Sequence, residues 1–142
     1  MLERVLNLFR KDQQAAQQRD QAQGEALIDL LVWTMFVDRH VASVEAQQIR
    51  KEAEDLHWDG HHSLDRFIDN SVKRVRDILG SETAEEAYLD DIYLRLANAG
   101  MRLRALTACE ELIGVDGDRA EAEFAHLERI KMRFTQEEPS EL

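Results

Sequence analysis

Asp38-Arg39-His40-Val41-Ala42-Ser43-Val44-Glu45 and Asp116-Gly117-Asp118-Arg119-Ala120-Glu121-Ala122-Glu123 follow one plan. In each, an Asp closes an apolar run, a short loop follows, and a Glu sits seven positions on. The anchors share one offset, since 116 − 38 and 123 − 45 both give 78. Apolar positions align at that offset too: Ile28 with Leu106, Leu31 with Cys109, Val37 with Val115, Ile49 with Leu127, Leu56 with Phe134. An internal repeat constrains a fold more than any single motif. This one predicts two helix-loop-helix units packed in one domain, each with carboxylates at its loop.

Between and around the motifs the pattern is helical. Apolar residues recur at i, i+3, i+4 and i+7, proline occurs only at Pro139, and no useful strand alternation appears. Leu2, Val5, Leu6 and Phe9 make one stripe, followed by a polar, glutamine-rich stretch from Lys11 to Gln23. Gly24 is expected to break that stretch. Ala26 to Val37 is apolar on nearly all faces, the mark of a central, buried helix.

Ser43 and Ser63 are expected N-caps, and Trp58 is expected to cover the core. Leu64, Phe67, Ile68, Val72, Val75 and Leu79 predict an amphipathic helix closed by Gly80. Thr83-Ala84-Glu85-Glu86 fits a capping box for the next one. Asn98-Ala99-Gly100 then breaks the chain. Leu103 to Val115 and Arg119 to Phe134 form the second unit. The expectation is an all-α fold of about seven helices.

Composition narrows the function classes. The 142 residues fit one domain, and 44% hydrophobic residues is ordinary for a globular protein. Such a chain buries about 70% of its unfolded surface and needs no metal or disulfide to fold. The net charge of −11 argues against nucleic acid, whose phosphates require a basic patch. It suits cations or a basic partner surface. No apolar run reaches the roughly 20 residues of a membrane span. The lone Cys109 offers no disulfide framework and suits a reducing, cytoplasmic setting. Within an apolar run it reads as a buried, inert thiol.

The carboxylates are the first candidate site. An Asp at a helix end sits in the negative field of the terminus and calls for a compensating donor or cation. Asp38 with Glu45, and Asp116 and Asp118 with Glu123, supply the hard oxygens that Ca2+ or Mg2+ takes. The same groups also have a purely structural use, accepting loop N–H groups and complementing the next helix dipole. The spacing is not that of an EF-hand.

Two other metal patterns are weaker. His57, His61 and His62 crowd one loop but lack a clear fourth zinc ligand. Glu54-x-x-His57 and Glu123-x-x-His126 are shaped like di-iron bundle motifs but fall at different positions of the repeat. Asp29, Glu110 and Glu111 interrupt apolar helices and are expected on their polar edges, with a buried acid among them as the alternative.

Leu30-Leu-Val-Trp-Thr-Met-Phe-Val-Asp38 with Glu45 resembles the first motif of the TerB-like tellurite-resistance proteins. Glu111-Leu-Ile-Gly-Val-Asp-Gly-Asp118 with Glu123 resembles the second. The resemblance covers about Ala26 to Phe134. It implies a pseudo-symmetric helical domain with an acidic, cation-binding surface and a stress-response role without established catalysis. Its ligands would be Asp38, Glu45, Asp116 and Glu123, with Asp118 added on local chemistry. Arg39 departs from the family's glycine, disfavouring left-handed backbone and bringing a positive charge where a metal would sit.

The domain reading is therefore residues 1–24 as a helical lead-in, 25–134 as a TerB-like domain and 135–142 as a disordered acidic tail. The first functional expectation is a non-enzymatic module binding a cation or a protein partner through its acidic loops. The second is a structural interaction protein whose stripe Leu2, Val5, Leu6 and Phe9 docks on a partner or in a homodimer. The third is a metal-dependent enzyme.

Overall fold

The computed structural model describes residues 2–38, 43–55, 58, 63–114 and 121–135, and every element in them is an α-helix. The order is α1 (Leu2–Asp38), α2 (Ser43–Asp55), α3 (Leu64–Ile78), α4 (Glu82–Leu96), α5 (Ala99–Gly114) and α6 (Glu121–Thr135). The all-α expectation holds, but there are six described helices rather than seven.

The difference lies at Gly24. α1 runs through it as one helix of 37 residues, about 55 Å long. A glycine inside a helix costs only about 1 kcal/mol relative to alanine. The Arg, Lys, Gln and Ala residues before it are good helix formers, and the packed turns after it propagate the helix backwards.

α1 is the spine of the fold, packing against all five other helices. From Ala26 to Met35 every residue is buried, as the all-round apolarity predicts. Ile49 and Ala53 of α2, Val75 of α3, Leu89, Ile92 and Leu96 of α4, Leu112 of α5 and Ile130 of α6 complete the core. Trp58 is partly buried against it and meets Phe67 at 5.3 Å between ring centroids.

The helix ends follow local chemistry. Ser63 Oγ accepts the Arg66 N–H at 3.2 Å, as expected of an N-cap. Gly80 takes φ +90°, the left-handed region in which glycine closes a helix. The cap of α4 is Ser81, not Thr83: Ser81 Oγ accepts from the Ala84 N–H at 3.3 Å. Once Gly80 has reversed the chain, the next residue is already placed to cap, two positions before the capping-box reading. α5 starts at Ala99 rather than Leu103, because Asn98 Oδ1 accepts the Met101 N–H at 2.8 Å. The residue read as a breaker is the cap.

Thr135 closes α6, its hydroxyl donating to Lys131 O at 2.7 Å. The remaining tail, the Ser43 side chain, Leu56 and Val115 lie outside the described residues. No described helix is long and apolar enough to cross a membrane.

Candidate functional site

The outer half of α1 is the most unusual surface of the molecule. Leu2, Val5, Leu6, Leu8 and Phe9 are 48–78% exposed on a helix whose other half is the centre of the core. At 100° per residue, 2, 5, 6 and 9 share one face with 8 at its edge. Arg10 is exposed beside it, and Arg4 and Lys11 are exposed on the opposite, polar face. Together the apolar side chains expose on the order of 500 Å², a patch size on monomers that is often functional.

Deeper along α1, two buried polar clusters fix how the helices meet. Asp29 is 1% exposed. Its carboxylate accepts from Ser71 Oγ at 2.7 Å and pairs with Arg74 at 2.7 Å and Arg95 at 2.9 Å. This corrects the expectation that Asp29 lies on a polar edge. Its partners come from α3 and α4, so nothing local in the sequence announces them. Glu110 is partly buried and Glu111 exposed, as edge positions should be. A carboxylate with three donors satisfies the rule that a buried charge must be paired and hydrogen-bonded.

The second cluster is neutral. Thr34 Oγ1 donates its one proton to Leu30 O at 2.8 Å, so the same oxygen accepts from His126 Nε2 at 3.0 Å. That assigns the imidazole proton to Nε2. Cys109 Sγ lies 3.4 Å from the same hydroxyl. Burial, helped by Arg129, lowers the His126 pKa to about 4. Burial pushes the Cys109 thiol up to about 12, so it stays protonated, as the sequence reading expects of an inert thiol. Trp33 packs edge-on against His126 at 4.7 Å and Tyr88 at 5.7 Å. The position of His126 on α6 is thereby set by α1.

The carboxylate candidates are placed only in part. Asp38 is the last residue of α1 and Glu45 lies in the first turn of α2, but their side chains are outside the described residues. Asp116 and Asp118 are outside them altogether, as are His57, His61 and His62. Glu123 stands in the first turn of α6 and is 3% exposed. Of the Glu-x-x-His motifs, Glu54 is exposed on α2, while Glu123 and His126 are buried on α6. Among the described residues no group of three or more His, Cys, Asp or Glu could hold a metal ion.

A second surface feature is a cleft of about 410 Å³ between α2 and α5, lined by Glu52, Asp55, Leu103, Thr107, Ala108 and Glu111, among others. Arg104, also in the lining, pairs with Glu52 at 3.5 Å. Leu103 is 66% exposed there. The sequence reading missed this cleft, because its two walls lie some fifty residues apart in the chain. No family model matches the chain, and neither does any curated protein or solved structure in the comparisons made.

Proposed function

We propose that this protein is a non-enzymatic helical interaction module whose working element is the outer half of α1. One observation carries this reading: five large apolar side chains are exposed on a helix that runs unbroken into the core. A soluble domain normally hides such a stripe unless something else covers it. The packed half of α1 holds the exposed half in register, so little ordering entropy is lost on docking.

The test is face-dependent photocrosslinking in cells. A crosslinking residue at Leu6 or Phe9 should capture protein, one at Asn7 or Lys11 on the polar face should not, and Val5→Asp should abolish capture. Equal capture from both faces, or from neither while the protein remains folded, would rule the reading out.

A second reading keeps the resemblance to TerB-like proteins: a cytoplasmic stress-response module with two related units that holds Ca2+ or Mg2+ at its loops. The shared 78-residue offset of the two acidic motifs in the sequence supports it. A metal that binds only the native state raises the melting temperature with its concentration. Calcium should therefore raise Tm in the native chain and leave the Asp116→Ala/Glu123→Ala variant unmoved; an unresponsive native chain removes the cation from this reading.

A further inference from the structure

We propose that the outer half of α1 docks on a second copy of this chain, in an antiparallel pair in which each tip enters the α2–α5 cleft of the other. This rests on the reading of α1 as the contact element and names what covers it.

The geometry of one chain leads there. α1 is unbroken, so Phe9 and Leu2 lie roughly 20 and 30 Å beyond Gln23 along the axis. The tip cannot fold back onto its own body. Gln23 Nε2 donates to Leu96 O at 3.3 Å, while Thr34 meets Cys109 at 3.4 Å. α5 therefore runs parallel to the inner half of α1, with its first turns beside Gln23. The cleft, formed by Gly100 to Glu111 of α5 with Glu52 and Asp55, therefore lies alongside the inner half of α1, beginning a little beyond Gln23. A twofold axis crossing α1 near residues 17–18 would lay Leu6 of one chain level with Asp29 of the other, and so alongside Leu103 and Arg104 in the cleft of that chain. Such a contact is self-complementary and closes at two.

Charge favours the same partner. Residues 2–11 carry Arg4, Arg10 and Lys11 against Glu3, a net of +2 (3 − 1). The rest of the chain then carries −13 (−11 − 2). The cleft is rimmed by Glu52, Asp55 and Glu111 against Arg104 alone, with Asp55 and Glu111 exposed. A basic apolar helix thus meets an acidic cleft with Leu103 exposed at its edge. Area is also sufficient: covering two stripes with two clefts removes on the order of 2,000 Å² from water, within the range of specific interfaces.

The test is sedimentation velocity on the full chain across a concentration series, with helicity of every variant checked by circular dichroism. The native chain should move from 16.4 kDa to twice that mass as concentration rises. Leu6→Asp with Phe9→Asp should weaken association by well over tenfold. Reversing the tip (Arg4→Glu, Arg10→Glu, Lys11→Glu) or the cleft (Asp55→Arg, Glu111→Arg) should each weaken it by roughly tenfold, and combining both reversals in one chain should restore it. A chain that stays monomeric overturns the proposal, as does a dimer indifferent to the tip or unrescued by the double reversal. A monomer whose tip instead binds vesicles of anionic lipid overturns it as well. Loss of self-association with face-dependent crosslinking to a different protein removes only the second copy; loss of both removes the interaction reading too.

Discussion

Residues 2–9 and 26–35 belong to one helix and both are rich in large apolar side chains, yet the first group faces solvent and the second is wholly buried. The inner half is apolar on every side, so only encirclement by other helices can hide it, and five helices do so. The outer half is apolar on one face and polar on the other, so a single docking surface suffices. Helical continuity turns this into division of labour: the buried half supplies stability, and the exposed half inherits a fixed direction from it. Hydrophobicity alone does not distinguish them. The breadth of the apolar arc does.

The sharpest way to break the inner half is at its charge. Asp29→Ala leaves Arg74 and Arg95 without their shared carboxylate and should cost about 4 kcal/mol, read from urea unfolding. Leu30→Ala, at a fully buried position, should cost about 3 kcal/mol by the same assay.

The next expected effect depends on pH. His126 is held neutral in the fold, with its pKa lowered to about 4 from an ordinary 6.5. Between those values the unfolded chain binds more protons, so stability falls as pH drops below 6.5 and the full loss is reached below 4. Relative to neutral pH the loss at pH 5 should be about 2 kcal/mol, and His126→Phe should remove that part of the pH slope. An unchanged slope in the variant would place the acid sensitivity elsewhere. The smallest effect belongs to the outer half. Leu6→Asp should change the unfolding free energy of the dilute monomer by less than about 0.5 kcal/mol, because Leu6 has no core contact to lose.

Features legible in the sequence were those set by neighbours along the chain. The all-round apolarity of Ala26 to Val37 identified the spine, Ser63 identified a cap, and Gly80 identified a helix end. The misreadings share a cause. Gly24 was read from its own propensity, although the turns on either side decide whether the helix continues. Asp29 was read as an edge residue, because the arginines and serine that make its burial tolerable arrive from α3 and α4. Asn98 was read as a breaker, although the residue that stops one helix is also well suited to start another. Of the candidate carboxylates, the chain shows only Glu123 in detail, and it is buried.

Amide hydrogen exchange, followed residue by residue at low and high protein concentration, compares the two halves of α1 most directly. Protection at residues 26–35 should be the same at both concentrations, while protection at residues 2–9 should rise severalfold as the chains associate. Outer-half amides that exchange equally at both concentrations, whether as fast as an unfolded peptide or as slowly as the core, would contradict a solvent-exposed helix that is covered only by docking.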